Sequence, residues 1–509
     1  MKQLNFKTKK SQGITLIALV VTIIILLILA AVTIAALSGD NGILRNVAKA
    51  KEETEQAESE EKEKIGDMED TINEYVTGIK VKQVTDTNPG ALEGTGTDDD
   101  PYTINSIEDL VVFASNVTNG TTYEGQTVKL GLSLDFNSTK SYVDPLRTDY
   151  AQYGYNGELK TLLTTGDGFI PIGTTYDSNI STNYFNGTFD GNGNTIYNLY
   201  QNIENSEYVT IVGLFSTNGG TIKNLKIENI SFNGITNNLN FLYGGIAGRN
   251  DGLIEQCAAT GKAEFESNGN SDNYIGGLVG QNNGNIDSCY NKINIDCYGT
   301  DTTKLQVLYV SGISGDNYGN INSCYNIGNL TISMDNITSL HLAGIGFGGT
   351  ISNCYNAGKL YKEKEDETFA SEEQRIFISG VGGSKGDSNY NVEEIVVESS
   401  IGGYACGISS IPNIRIIDNC YNIGKISTTN SNILIGSLTG WMTNNQITNS
   451  KWLKGTADEA IANKGSDVID GTLMVETIEE MPNILSIVGD AFKEDTNNIN
   501  NGYPLLNWQ

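Results

Sequence analysis

The stretch that decides the fold is YIGGLVGQNNGNIDSCYN at residues 274–291. Its ending, Cys-Tyr-Asn, returns at residues 324–326, 354–356 and 420–422, and a weaker copy begins at Cys257. Consecutive cysteines of these copies are separated by 32, 35, 30 and 66 residues, and the last spacing is close to two units of 33. A period of this length is typical of stacked structural units. The pattern therefore predicts a solenoid, in which each unit packs on its neighbours.

One position of the unit alternates between cysteine and other residues, which predicts an apolar core position. Leu199 and Leu225 stand there in the early units, and Ser450 stands there in the last. A zinc site cannot exchange a thiolate for an alkyl group, so we predict neither a metal site nor a catalytic cysteine. We predict two structural ladders, one of thiols and one of amides: Cys257, Cys289, Cys324, Cys354 and Cys420, and Asn291, Asn326, Asn356 and Asn422. The redox state of the thiols stays open, because neighbouring coils bring consecutive cysteines to a strand spacing of about 4.8 Å.

The chain has to bend inside each unit, because Ile286 and Cys289 both read as core residues but are three positions apart. In a straight strand they would point to opposite faces. We therefore predict a kink at the small polar residue before each cysteine: Ser288, Ser323, Asn353 and Asn419. Four residues after the cysteine a glycine recurs, which predicts a left-handed turn at Gly261, Gly328, Gly358 and Gly424.

The composition agrees with many short strands joined by tight turns, since 58 residues are Gly and only 7 are Pro. We predict a mostly β fold, a right-handed parallel β-solenoid of about nine coils preceded by an N-terminal transmembrane and stalk α-helix. A short helix over residues 107–117 is predicted to cap the first coil. The predicted segments are a leader at 1–13, a transmembrane helix at 14–37, a helical stalk at 38–85, the solenoid N-cap and first strands at 86–184, the repeats at 185–460 and a C-terminal cap at 461–509. Two predicted insertions, at 361–375 and 384–399, have roles that stay open.

The N-terminus has the pattern of a membrane export signal. Four lysines precede Gly13, and residues 14–37 then contain no charge, which is long enough to cross a bilayer with the lysines on the cytoplasmic side. The segment resembles type IV prepilin-like proteins, whose basic leader ends in Gly before an apolar helix. The resemblance implies cleavage after Gly13 by a prepilin peptidase and methylation of Ile14.

The resemblance to prepilins has two departures. Family members usually begin the mature chain with Phe, where this chain has Ile14, and carry Glu at the fifth position, where it has Ala18. In the family that carboxylate meets the amine of a neighbouring subunit, so entry into a filament of pilin-like subunits stays open. A plain N-terminal membrane anchor is the alternative.

The cassettes over residues 90–460 resemble the GLUG repeat of bacterial surface proteins. This resemblance implies export and adhesion-like roles, and some family members are attached to peptidases. No fixed catalytic residues come with the repeat.

Charge and residue usage argue against several functions. The net charge of −29 would repel nucleic acid. His341 is the only histidine, so there is no His-Glu-x-x-His zinc motif and no second histidine to serve as a base. Asp190, Asn192 and Asn194 are spaced like the start of a calcium loop, but no Glu closes it, and turn residues explain them better. We predict no catalytic residue, cofactor or metal.

These observations predict an exported, membrane-tethered, pilin-like surface protein whose β-solenoid head serves in adhesion or structural display. Its partners would be the prepilin peptidase, the membrane through residues 14–37, and a surface glycan or protein. Two alternatives stay open: a carbohydrate-active β-helical enzyme with paired carboxylates, and a pseudopilin component of a secretion or DNA-uptake system. The envelope type of the host also stays open.

Overall fold

The computed structural model describes Leu26 and residues 92–509, except for 137–165, 174–175, 178–182, 205–208, 237–239, 269–270, 300–305, 335–336, 364–374, 412–415, 443–445, 465–472 and 476–483. The chain divides into two compact units, Met1–Thr87 and Asn88–Gln509. The predicted leader, transmembrane helix and stalk lie outside the described residues, apart from Leu26. Within the part that is described, no helix is long and apolar enough to cross a membrane.

The second unit is a parallel β-solenoid, in which each strand pairs with the equivalent strand of the next coil. Two long sheets carry the cassette. Sheet 1 consists of Tyr102–Ile104, Thr127–Leu130, Thr188–Asp190, Thr221–Lys223, Leu253–Glu255, Asn285–Asp287, Asn320–Asn322, Thr350–Ser352, Lys385–Asp387, Ile416–Asp418 and Gln446–Thr448. Sheet 2 consists of Leu134–Asp135, Thr195–Tyr197, Tyr200–Glu204, Lys226–Thr236, Ala258–Ser267, Tyr290–Tyr298, Tyr325–Asn326, Leu330–Ser333, Tyr355–Asn356, Leu360–Lys362, Tyr390–Asn391, Ile395–Val397, Tyr421–Asn422, Ile426–Thr428, Lys451–Leu453 and Leu473–Val475.

Two further sheets contribute to the coils, sheet 4 to only five of them, and two strand pairs lie near the C-terminus. Sheet 3 consists of Tyr176–Asp177, Val209–Val212, Phe241–Gly244, Asp272–Gly276, Gln306–Ser311, Ile337–Ala343, Arg375–Ser379, Gly403–Cys406 and Ile433–Gly436. Sheet 4 consists of Phe215–Asn218, Ala247–Asn250, Val279–Asn282, Ser314–Asn317 and Gly346–Phe347. The pairs are Thr439–Met442 with Ile461–Lys464, in parallel, and Phe492–Lys493 with Leu505–Leu506, antiparallel.

The solenoid has about seven regular turns, fewer than the nine predicted. Sheet 3 has nine strands, of which the first pairs antiparallel, so eight parallel strands remain and seven turns separate them. The sequence count also included the end units at Leu199 and Ser450. These units keep the core position, but they lie at the ends of sheet 3: the strand before Leu199, Tyr176–Asp177, pairs antiparallel, and the strand before Ser450, Ile433–Gly436, is the last of the sheet.

The core is built from inward side chains that repeat from coil to coil. In sheet 1 each three-residue strand from Thr188–Asp190 onward buries its central residue, and Ile286, Ile321 and Ile351 are at most 1% exposed. The register places these isoleucines directly next to one another. Branched apolar side chains stacked in this way fill the solenoid interior and supply its hydrophobic stabilisation.

The kink before each core cysteine is confirmed by the backbone. Ser288, Ser323, Asn353 and Asn419 have positive φ angles of 52°, 52°, 54° and 52°. A left-handed residue at this point turns the strand so that Ile286 and Cys289 both face inward. Asparagine and serine accept this conformation because their short polar side chains bond locally.

The predicted left-handed glycines are only partly correct. Gly261 has φ +139°, but Gly328, Gly358 and Gly424 do not adopt a positive φ. Glycine is required at these three positions because the backbones of neighbouring coils approach each other closely there. A Cβ at Gly358 would lie 2.1 Å from the Gly328 carbonyl oxygen, and one at Gly328 would lie 2.1 Å from the Ile293 carbonyl oxygen of the preceding coil.

The segment 384–399, predicted as an insertion, is a regular coil. Lys385–Asp387 and Ile395–Val397 pair with the coils on both sides. Asn389 occupies the cysteine position, and its amide side chain is fully buried. The spacing of 66 residues between Cys354 and Cys420 thus contains one further unit, whose core position carries asparagine. Of the other predicted insertion, residues 364–374 lie outside the described residues.

The two ends of the solenoid differ. Helix α1, Ile107–Thr118, is confirmed at the N-terminal end, where the Ser106 hydroxyl accepts a hydrogen bond from the Asp109 amide as its N-cap. At the other end, Ile461–Lys464 and Leu473–Val475 add strands to the stack. Residues 484–509, which include the short helix α2, Leu485–Val488, instead lie along the outside of sheet 2. The segment predicted as a closing cap therefore also covers a side of the solenoid.

Candidate functional site: an aromatic corner

The cysteine positions form a buried column in the core. All seven cysteines of the chain are free and buried. The Cys289 thiol donates to the Asp287 carbonyl at 3.0 Å and accepts from the Cys257 amide at 3.3 Å. Burial raises the pKa of Cys289 far above its usual range and that of Cys420 to about 12, so these two thiols stay protonated. Inert thiols of this kind serve packing.

The asparagines after these cysteines form a continuous amide ladder inside the solenoid. Asn291 donates to Asn326 at 2.8 Å, and Asn326 donates to Asn356 at 2.9 Å. The ladder continues through Asn391, which the sequence analysis missed, to Asn422. Each amide also bonds to the backbone two residues later, so no polar atom of the ladder is left without a partner.

A second amide ladder, not predicted, follows sheet 4. Asn218, Asn250, Asn282 and Asn317 are buried and bond in sequence at 2.7 to 2.8 Å. All four members of this ladder have the sequence signal Asn-x-Gly, because the asparagine amide bonds the backbone of the glycine two positions later. The first ladder has it at Asn326, Asn356 and Asn422, whereas Asn291 and Asn391 bond the backbone of Ile293 and Glu393. These internal ladders hold the coils in register and are not accessible to a ligand.

The remaining predicted positions carry no chemistry in the described residues. Asp190 accepts a hydrogen bond from the Asn192 backbone amide at 2.8 Å, as a turn residue does. No group of three His, Cys, Asp or Glu residues that could hold a metal ion occurs in the part of the chain that the structure describes. Gly13 and Ile14 lie outside it.

The tyrosines of the Cys-Tyr-Asn cassette form an outer stack on sheet 2, which we name the tyrosine ladder. Their ring centroids are 4.8 to 5.0 Å apart. The members are Tyr290, Tyr325, Tyr355, Tyr390 and Tyr421. Residues 484–509 cover it: the Asn500 amide donates to the Tyr390 hydroxyl at 3.0 Å, and the Trp508 indole donates to the Ser323 carbonyl at 2.9 Å.

A second outer stack follows sheet 3, and we name it the aromatic row. Successive ring centroids along it are 5.0, 4.3, 5.2 and 6.0 Å apart, and every ring is half-buried. The members are Tyr274, Tyr309, His341, Phe377 and Tyr404. The register continues it with Leu242 on one side and Leu434 on the other.

Polar side chains of sheet 4 stand beside the aromatic row. Arg249, Gln281 and Asp316 occupy one register position on successive coils. Asp316 accepts hydrogen bonds from Gln281 and Tyr318, and its charge raises the pKa of Tyr318. The Phe347 ring extends the same column and lies 4.2 Å from the His341 ring. We call the row and these residues together the aromatic corner.

Burial sets the protonation states in the aromatic corner. It lowers the pKa of His341 to about 3, so the imidazole is neutral at physiological pH. Burial also raises the pKa of Tyr309 to about 12, with the charges of Asp316 and Asp272 as smaller causes. The pKa of Asp316 is raised by its own burial. The corner therefore presents neutral rings and hydroxyls beside two carboxylates.

The aromatic row has no counterpart in the sequence-based prediction. Tyrosine, histidine and phenylalanine alternate along it, so no repeated letter marks the position. The signal that could have revealed it is an aromatic residue a few positions before each Gly-Gly pair or its equivalent, as in Tyr274 and Tyr309.

Comparisons with known proteins give limited similarity. A segment of 172 residues, 34% of this chain, is 31% identical to Halomucin from Haloquadratum walsbyi, and it spans 2% of that protein. The chain is also similar to the crystal structure of a candidate immunoglobulin A1 protease from Bacteroides ovatus, at a TM-score of 0.41 and 16% identity. That match covers 82% of this chain and 95% of the other. No family model matches the chain.

Proposed function

We propose that the chain is an exported surface protein, tethered to the membrane by residues 14–37 and processed like a prepilin at Gly13. Its β-solenoid, which we propose to be right-handed, is a binding head used in adhesion or display. The observation that carries this proposal is the aromatic corner, a half-buried row of rings that crosses five coils. Such a row provides apolar contact area with a small number of placed polar groups, as binding sites do.

Three features support a binding role. The repeated side chains inside the coils are used for stacking, and the thiols are buried. The chain carries 61 acidic against 32 basic residues, which favours solubility outside the cell and disfavours nucleic acid. A β-solenoid is compatible with a surface protein because it presents a long face built from repeats.

The experiment is to express the full chain in a bacterium that carries a prepilin peptidase and to analyse it by mass spectrometry. We expect a mature N-terminus at methylated Ile14 and digestion of the head by protease added to intact cells. The matched variant Gly13→Asp should keep the leader. An intact Met1 in the wild type would contradict processing, and a head protected from external protease would contradict surface display.

A carbohydrate-active enzyme is the second candidate, because Asp272 and Asp316 both act on the ionisation of Tyr274 and Tyr309. A pair of carboxyl groups flanking the scissile bond is the arrangement of glycoside hydrolases, and burial raises the pKa of one of these two, Asp316. If the protein releases new reducing ends from polysaccharides, and Asp316→Asn abolishes this release, the result would favour the enzyme over a binding head.

A further inference from the structure

We propose that the aromatic corner binds a linear, uncharged polysaccharide that lies along the solenoid axis. The inference rests on the proposed function, since it names the ligand of the same surface. It commits to one occupant because shape, hydrogen bonding and charge in the corner each restrict the ligand.

The first restriction is the apolar row. Pyranose rings have apolar C–H faces and edges that pack on aromatic side chains, while their hydroxyls need polar partners. The five rings follow one another coil by coil, with Tyr274, Tyr309 and His341 separated by 5.0 and 4.3 Å. Coils repeat at about 4.8 Å, close to the length of one sugar unit in an extended chain. The rings stack on one another at interplanar angles of 7° to 19°, so each presents its edge, and a polymer can meet one ring edge at each unit.

The second restriction is the polar side of the corner. Gln281 and Asp316 stand beside the rings, and the Tyr318 side chain, 69% exposed, reaches the same region. These groups offer amide, carboxylate and hydroxyl atoms, which can both donate to and accept from sugar hydroxyls. A purely apolar ligand would remove these groups from water and leave them only the hydrogen bonds that they make to one another, at a cost in free energy.

The third restriction is charge. Asp272 and Asp316 face the row, and the chain as a whole carries −29. Nucleic acids and acidic polysaccharides would be repelled from this surface. A chain without charge meets no such penalty.

An added peptide strand does not fit the corner. Strand addition needs an open sheet edge. In sheet 3 the strands that carry Tyr274, Tyr309 and His341 are paired on both sides with neighbouring coils. A peptide would have to bind through its side chains alone, whereas a polysaccharide binds through its rings and hydroxyls without needing an edge.

The test uses the full chain in detergent, with retention on insoluble cellulose, chitin and xylan and binding to an array of soluble neutral glycans, acidic glycans and peptides. The variant is Tyr309→Ala and its matched control is Tyr290→Ala, since each removes a half-buried ring with a stacked neighbour at 5.0 Å. We expect wild-type binding to a neutral polymer, at least a tenfold loss for Tyr309→Ala, and no change for Tyr290→Ala.

Further outcomes decide the proposal. Tyr318→Ala, which removes an exposed side chain, should lower affinity severalfold and serves if Tyr309→Ala does not fold. Equal binding by Tyr309→Ala and Tyr290→Ala, or preference for acidic glycans or peptides, overturns the inference. If the mature Ile14 terminus and surface exposure are found but no neutral polymer binds, the ligand is wrong while the proposed function stands. If the polymer binds but the chain is neither processed nor exposed, the proposed function fails instead.

Discussion

The solenoid carries two outer aromatic stacks that differ in what lies over them. The tyrosine ladder repeats one residue type at a nearly constant spacing of 4.8 to 5.0 Å, and residues 484–509 pack on it. The aromatic row varies in residue type and spacing and has polar side chains beside it. The same coil spacing therefore supports two different stacks: residues 484–509 cover the tyrosine ladder, and we propose that the aromatic row binds a ligand.

The cover has an energetic consequence for the tyrosine ladder. Tyr355, Tyr390 and Tyr421 are at most 1% exposed, whereas the rings of the aromatic row are half-buried. Free energy from apolar burial scales with the area removed from water. The ladder should therefore contribute more to stability and the row more to binding, and four predictions test that division.

The largest expected effect is that of Tyr390→Ala in the tyrosine ladder. The Tyr390 side chain is fully buried, and its hydroxyl bonds to Asn500 and Pro504 of the covering segment. Removing a buried ring of this size should lower the free energy of unfolding by about 3–5 kcal/mol. Tyr309→Ala in the aromatic row should cost about 1–2 kcal/mol, since half as much ring area leaves a buried site. Denaturant titration of both variants measures the difference, and equal losses would remove the distinction between the two stacks.

The next effect concerns His341, which stands in the aromatic row where other coils have Tyr or Phe. Burial lowers the pKa of His341 to about 3 in the folded state, against about 6.5 in an unfolded chain. Because protonation favours the unfolded state, this stability is complete above pH 6.5 and is lost as the pH falls from 6.5 towards 3. By pH 5 the loss is about 2 kcal/mol.

The matched variant for this pH effect is His341→Phe, which keeps a ring in the row and removes the titration. Carboxylates titrate in both proteins, so only the difference between their unfolding free energies at pH 7.5 and pH 5 is compared. If wild type and variant lose stability equally, the imidazole is solvated and the row is more open than the ring contacts indicate.

A smaller effect is expected at the edge of the cover. Trp508 is 39% exposed, its ring lies 5.6 Å from that of Tyr325, and its indole donates to the Ser323 carbonyl. Trp508→Ala should cost about 1 kcal/mol, the net value of one hydrogen bond. Limited proteolysis should cut residues 484–509 faster in the variant while the coils resist. Unchanged proteolysis would mean that the covering segment is held by its other contacts alone.

The sequence predicts the regular coil well, because most units carry an apolar residue at the core position and the kink at Ser288 follows from a spacing of three. The sequence predicts less where one residue type can be required for two different physical reasons. Gly358 has to be glycine because a Cβ at this position would lie 2.1 Å from a backbone oxygen. The sequence alone does not distinguish this steric requirement from a left-handed φ angle. The aromatic row was missed because its residues share shape but not identity, and their register appears only after the coils are stacked.

The smallest effect is expected at Asn389, which lies directly before Tyr390 in the one regular coil that breaks the cysteine column between Cys354 and Cys420. Its amide donates to the Ile351 carbonyl at 2.8 Å and accepts from the Cys354 amide at 2.9 Å. In the preceding coil the Cys354 thiol makes the corresponding contacts. It donates to the Ile321 carbonyl at 3.8 Å and accepts from the Cys324 amide at 3.4 Å. Asn389→Cys should therefore change the free energy of unfolding by less than about 1 kcal/mol, since hydrogen bonds to a carbonyl are exchanged for weaker ones while apolar contact is gained. A loss of several kcal/mol in thermal unfolding would show that the amide at Asn389 is needed to hold Tyr390 beneath its cover, and the tyrosine ladder would then depend on the core directly below it.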